Sequence, residues 1–280
     1  MREGLNLNNE ELRSLVLECL KECTTTQFVS FNNQIYDKAL VKGLIVKEQN
    51  GFTTFGSSQS LSKADTVRVQ NILWDLIIEG IIRPGLGDGV NNELPFLHVT
   101  EKGKNILACN SVSPYDPDAY LKILYKEIPN VDKVIITYLT EALRTFRIGC
   151  LLSSTIALGC ASEKAFIILV ESFVNAIDSP DMKKNFKKAV EGKTIKRQYD
   201  ELTKYYNSSF KSKLNGDLNE GFINSVFGIF EMIRSNRNDA GHPTGKNIER
   251  EELYANIIVF RNYLKRVYNV INWLNENKII

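Results

Sequence analysis

Arg237, Asn238 and His242 are the residues best suited, by type and spacing, to act on a phosphate. They end the stretch that runs from Asn219 to Pro243. Phe222, Val226, Phe230 and Ile233 fall on one helical face there, and the next position on that face is Arg237. A buried guanidinium without a partner is costly, so an arginine in that place should meet a carboxylate or a ligand. His242 follows five residues later and is one of 2 histidines in the chain. A permanently charged guanidinium and an imidazole that titrates near neutrality can together bind a phosphate and move protons around it. Asn238 can orient either group by hydrogen bonding.

The carboxylate is expected from a second helix. Residues 150–177 are densely apolar and should form the central helix of a bundle. One of its faces reads Ile156, Glu163, Ile167, Val170 and Val174, so a single charge again interrupts an apolar stripe. Two inward charges of opposite sign on two long helices invite pairing. Glu163 should lie close to Arg237 or His242 and hold Arg237 in one rotamer.

Around these residues the pattern predicts a mainly α chain in two domains, 1–110 and 118–280. Between them lies the polar stretch Cys109 to Asp118, with two prolines. The second domain reads as all helix, with segments at 118–128, 131–146, 150–177, 194–213, 219–238 and 249–277. In the last of these Leu253, Ile257, Phe260, Leu264, Val267 and Ile271 form the inner stripe. The first domain mixes α and β. Asn9 caps a helix reaching Cys23, and Ser62 opens a second at 63–79. The apolar side of that second helix is expected from Val67, Val69, Ile72, Leu73, Leu76 and Ile77, and Gly80 ends it. Strands follow near 81–85 and 96–100, then a short helix from Glu101. Residues 46–55, around Asn50-Gly51, read equally as a strand pair or a loop. Trp74 and Trp273 are expected as core anchors.

Composition excludes some classes of function. With 280 residues, 43% apolar, 24% charged and a net charge of +2, the chain reads as globular, and any nucleic-acid contact must come from local patches. It contains no apolar run near ~18 residues, so no membrane span is expected. Met1 to Asn6 lack the apolar core of a secretory leader, and a cytoplasmic location is expected. The 5 cysteines and 2 histidines show no metal-ligand spacing, so neither metal nor cofactor is expected.

Two resemblances sharpen this outline. Helix, glycine, strand, flexible loop, strand and then Leu97-His98-Val99-Thr100-Glu101-Lys102-Gly103 resembles a winged helix-turn-helix, well over 60–108 and loosely over 9–60. The resemblance implies that the helix before the wing can enter a DNA major groove, with Lys63, Arg68, Gln70 and Asn71 as its exposed polar residues. The same fold also serves as a protein-interaction module. In the second domain, Arg237-Asn238-Asp239-Ala240-Gly241-His242 resembles the signature of the HEPN superfamily: arginine, a small polar residue, then histidine after four to six intervening positions. Tyr138 to Leu143 and Ala157 to Glu163 resemble upstream helices of that superfamily, and the likeness spans roughly 118–280.

The HEPN resemblance implies an all-α domain and metal-independent endoribonuclease chemistry, in which the 2'-hydroxyl of RNA attacks the neighbouring phosphorus. His242 would move the proton, Arg237 would neutralise charge on the phosphate oxygens, and Asn238 and Glu163 would position them. Such cleavage uses a base and an acid, yet this domain has one histidine, since His98 lies in the predicted wing. A homodimer with a shared cleft supplies the second, and the resemblance implies dimers as well. It further suggests a microbial defence or toxin setting, where an inhibitory partner can silence the site. The basic run Lys183, Lys184, Lys187 and Lys188 can guide RNA phosphates or can be a solvated helix face. The rival readings are a non-catalytic nucleic-acid-binding regulator whose helical domain only dimerises, and a protein-interaction scaffold. In those readings His242 is a helix cap, and Arg234 and Arg237 merely suit the helix dipole.

Overall fold

The computed structural model describes residues 4–45, 60–108, 113–214, 216–223, 228–243, 245 and 247–279. The chain is mainly helical with one small three-stranded sheet, and it divides into two compact units, Met1–Leu121 and Lys122–Ile280.

In the first unit, α1 (Asn9–Glu22) is capped one residue earlier than the sequence suggested. Asn8 Oδ1 accepts the Glu11 N–H at 2.9 Å, and Glu11 Oε2 accepts the Asn8 N–H at 2.9 Å. This reciprocal pair satisfies two end donors at once, which Asn9 with no acid three positions on cannot do. β1 (Thr25–Gln27) leads into α2 (Phe28–Val41). The possible strand pair at 46–55 lies outside the described residues. α3 (Lys63–Ile78) starts at Ser62, whose hydroxyl accepts the Asp65 N–H, and stops at Gly80, whose φ of +72° reverses the chain. β2 (Ile82–Pro84) and β3 (Phe96–Val99) follow, then α4 (Glu101–Ala108). The sheet runs β1-β3-β2, antiparallel throughout. Leu97 and Val99 face a core shared with Leu12, Val16, Phe31, Ile35, Val69 and Leu76.

Two expectations fail on α3. Val67 is 55% exposed and Trp74 is 46% exposed, so neither belongs to the core. The inner face is Val69, Ile72, Leu73 and Leu76. Apolar residues sit on both sides of this helix, so the sequence pattern alone does not choose between them. The division between units also falls later than the proline-rich stretch, inside α5 (Pro117–Glu127). Ser14 donates to Asp116 at 2.9 Å, which ties the start of α5 to the first unit.

In the second unit, α6 (Lys133–Arg147) and α7 (Leu151–Ala176) form an antiparallel pair. α7 is central, packing against α6, α11 (Phe230–Gly241) and α12 (Arg250–Glu276). Its small residues Ser154, Ala157, Ala161, Ser162 and Ala165 are all buried, which lets neighbouring helices approach closely. α8 (Pro180–Val190) and α9 (Ile195–Tyr205) lie against its C-terminal half. The helix expected at 194–213 ends at Tyr205, and residues Tyr206–Phe210 form a π-helical turn. That turn directs Tyr206 onto the Phe222 ring of α10 (Gly216–Phe222), with centroids 4.7 Å apart. The helix expected at 219–238 is seen as α10 and α11, residues 224–227 lying outside the described set. The expected stripe of α12, Leu253 to Ile271, is buried throughout. Trp273 is half-buried and meets Phe210 at 5.8 Å. Among the described residues no helix is long and apolar enough to cross a membrane.

Candidate functional site

α11 is anchored on α7 by Phe230 and Ile233, both buried. Phe230 stacks on Phe166 with ring centroids 4.5 Å apart, and Tyr199 lies against the same pair. Tyr199 is therefore a packing residue, and burial pushes its phenol up to about 12. One turn beyond Ile233 comes Arg237, whose aliphatic stem crosses α7 at Gly159. A Cβ at position 159 would lie 2.4 Å from Arg237 Cβ and 2.3 Å from its Cγ. Only glycine leaves room for the stem to rest on the α7 backbone.

One turn further along α7 is Glu163. The Arg237 Nη2 to Glu163 Oε2 distance is 3.8 Å, so the pair attracts without a direct hydrogen bond. Arg237 Nη1 donates instead to Asn238 Oδ1 at 3.1 Å. The Glu163 side chain is 17% exposed and the Arg237 side chain 37%, so the guanidinium is positioned from behind yet open to solvent in front. Arg234 lies one turn before Arg237. It grips Glu231 through two bonds, Nε to Oε1 at 3.2 Å and Nη2 to Oε2 at 2.8 Å. That bond, and secondarily the charges of Glu231 and Glu163, raises the Arg234 pKa. Glu163 thus acts on two guanidinium groups, one saturated by its own carboxylate and one held more loosely.

His242 occupies the C-cap of α11. Its φ of −106° and ψ of 142° are extended, and its N–H donates to the Asn238 carbonyl at 3.0 Å. Pro243 prevents the helix from continuing. The imidazole is exposed and has no hydrogen-bond partner among the described residues. Asn236 donates to Glu252 at 2.9 Å and ties this end of α11 to α12. Arg237, Asn238 and Glu163 therefore form one contact cluster, with His242 at the adjoining helix end.

The basic run lies elsewhere in this unit, on α8. Lys184, Lys187 and Lys188 are exposed and Lys183 is half-buried, away from the contacts of Arg237. In the first unit Lys63, Gln70 and Asn71 are exposed on α3. Arg68 is not available as expected. Its Nη1 meets Asp65 Oδ1 at 3.1 Å, its Nε donates to Asn9 Oδ1 at 3.1 Å, and its Nη2 donates to the Leu7 carbonyl. A carboxylate one turn earlier draws the guanidinium back along its own helix.

The residue that sequence reasoning missed is Gly159. Its signal was an isolated glycine in a long apolar helix, which costs helical stability and so marks a close approach. Among the described residues, no group of three or more His, Cys, Asp or Glu side chains is arranged to hold a metal ion. No protein-family model, curated protein or solved structure matches this chain.

Proposed function

We propose that the chain is a HEPN-type, metal-independent endoribonuclease, acting as a homodimer in a microbial defence or toxin system, with a winged-helix-like first unit. The observation that carries this reading is the setting of Arg237. Its stem is seated on Gly159, its head is steadied by Glu163 and Asn238, and its outer side reaches solvent beside the helix end that bears His242.

In the proposed reaction the RNA 2'-oxygen attacks the adjacent phosphorus as its proton passes to an imidazole acting as base. The bond from phosphorus to the 5'-oxygen breaks, and that oxygen takes a proton from an imidazolium. The products are a 2',3'-cyclic phosphate and a 5'-hydroxyl. Arg237 balances the extra charge on the phosphoryl oxygens in the transition state. The loose 3.8 Å contact suits this task, because a guanidinium not saturated by a carboxylate keeps donors for phosphate. Base and acid would be two copies of His242 facing each other across a two-fold axis.

The test is cleavage of single-stranded RNA in EDTA with analysis of the ends. Cyclic phosphate ends are expected, with no cut at a nucleotide lacking its 2'-hydroxyl. His242→Ala should lower the rate by about 10²–10⁴-fold. Arg237→Ala should lower it by about 10²–10³-fold. Cleavage that survives at the 2'-deoxy position would contradict the reading.

One observation favours a second role for the first unit. The outward side of α3 carries Val67, Trp74 and Ile78, the last 79% exposed, while Arg68 is turned inward. This face suits a protein partner better than a DNA groove. Duplex DNA would then bind Lys63→Ala or Gln70→Ala as well as it binds the wild type.

A further inference from the structure

The positive charge of this chain is concentrated in one place. Residues 181–197 hold 7 lysines and arginines against Asp181 and Glu191, a local +5, while the whole chain carries +2. Everything outside this segment therefore sums to −3. Two consecutive helices present it. Ser179 caps α8 by accepting the Met182 N–H at 3.4 Å. Phe186 packs on Phe173 and Tyr205, with ring centroids 5.0 and 4.6 Å apart, and Val190 is buried one turn later. These fix the inward side, and Lys184, Lys187 and Lys188 are exposed on the other. Gly192, with a φ of +66°, turns the chain, and Thr194 caps α9, whose first turn exposes Lys196 and Arg197.

Part of this charge is matched internally. Lys187 meets Glu191 at 3.9 Å, and Lys196 is paired with Asp200 at 3.0 Å. Lys184, Lys188, Lys193 and Arg197 are exposed, and their side chains have no hydrogen-bond or ion-pair partner among the described residues. A polyanion can meet these four cations without first breaking a pair. Lys184 and Lys188 stand one turn apart, about 6 Å along the axis. The large apolar side chains of this segment are turned away from solvent: Phe186 and Val190 are buried, and Met182 and Ile195 are half-buried. A helix that binds a bilayer inserts an apolar face, and the core of a protein interface is depleted of charge. A nucleic-acid backbone needs no apolar face, because neutralising its phosphates supplies the affinity.

The same surface leads to the proposed site. Lys196 Nζ lies 5.0 Å from the centre of the Tyr199 ring, and that ring lies 6.0 Å from Phe230 of α11. The charges of Glu231 and Arg234 act on the Tyr199 phenol. Arg237 follows Phe230 after about 10 Å of helix axis. We propose that the exposed face of α8 and the first turn of α9 dock the phosphate backbone of the RNA strand that is cut at Arg237 and His242. RNA as the occupant rests on the cleavage proposed above, whereas its polyanionic character rests on the charge of the surface alone. Docking is independent of base sequence, because contacts to phosphate position a strand without reading it.

The test measures binding of the full chain in EDTA to a labelled 2'-O-methyl 20-nucleotide oligomer. This probe cannot be cut through its 2'-oxygen, so the result does not depend on catalysis. Lys184→Glu combined with Lys188→Glu should raise Kd about tenfold or more. Lys21→Glu combined with Lys133→Glu makes the same change of net charge at exposed positions of α1 and α6. It should change Kd by less than about threefold, because distant exposed charges are screened. Lys184→Gln, Lys188→Gln and Arg197→Gln together should lower the slope of log Kd against log salt by about 2, at roughly 0.7 per phosphate contact. On cleavable RNA, the Lys184→Glu/Lys188→Glu chain should raise KM and keep kcat within about twofold, since docking holds substrate and transition state alike. A wild type that binds the oligomer through these lysines yet cuts nothing would refute the nuclease and support the surface. A wild type that cuts RNA while both double variants bind the oligomer equally well, each folded by circular dichroism, would support the nuclease and overturn the surface. A 20-residue polyglutamate, or phosphatidylserine vesicles, that displaced the oligomer at equal charge concentration would overturn it as well.

Discussion

The contact between Gly159 and Arg237 is the narrowest in the proposed site, and its consequence can be measured. An added methyl at 159 collides with two atoms of the stem that precede the guanidinium by several bonds, and they cannot swing aside as a side-chain tip would. Crowding of this kind typically costs about 1–3 kcal/mol. Alanine returns about 1 kcal/mol of helix propensity. Gly159→Ala should therefore unfold in urea close to wild type yet cut RNA at least tenfold more slowly, because a misplacement near 1 Å costs ~10²-fold in rate. A variant as active as wild type would separate the seating of Arg237 from function. The pairing of Glu163 with Arg237 was legible in the sequence, because each charge interrupted an apolar stripe and the two stripes had to face each other. Its looseness was not, since it depends on Asn238 drawing Nη1 away at 3.1 Å. The inward turn of Arg68 was hidden for a similar reason: Asp65 is its neighbour on α3, but Asn9 and Leu7 reach it only after α1 and α3 pack.

At the scale of elements, α1 is clipped to the end of α3 by Arg13 and Glu79, 2.6 Å apart with both side chains 3% exposed. Breaking a buried ion pair by removing one member typically costs about 3–5 kcal/mol. Arg13→Ala should lose about that much in urea unfolding. Arg13→Met combined with Glu79→Leu should recover most of it, since apolar groups need no partner. A single variant as stable as wild type would show that water reaches the pair. α3, opened by its Ser62 cap, and α12, with its one-sided stripe, could be read from the sequence alone. α2 could not. It starts at Gln27, whose side chain makes no cap bond, and two adjacent asparagines, Asn32 and Asn33, interrupt its Phe31, Ile35 and Ala39 face. The break after Tyr205 was equally invisible, because the π-helical turn follows from Tyr206 and Phe210 reaching Phe222, a contact distant along the chain.

For the whole molecule, the proposed chemistry needs two imidazoles, and the second unit supplies one per chain. This leads to a quantitative expectation. When wild-type and His242→Ala chains are mixed and allowed to exchange, activity should follow the square of the wild-type fraction, because only dimers with two intact copies cut. A linear dependence would mean that each chain works alone. Arg237 and His242 stood out before any coordinates, as did the all-helical character of the second half. The row of Thr25, His98 and Arg83 across the sheet did not, because it arises from the register of three short strands. The central claim is that Arg237 and His242 cut RNA. Its most direct measurement is the single-turnover rate on end-labelled RNA in EDTA, for wild type, Arg237→Ala and His242→Ala, each shown to be folded by its urea transition. The expected result is cleavage by wild type, with losses of at least a hundredfold in both variants. Equal rates in all three, or no cleavage by the wild type across varied RNAs, would contradict it.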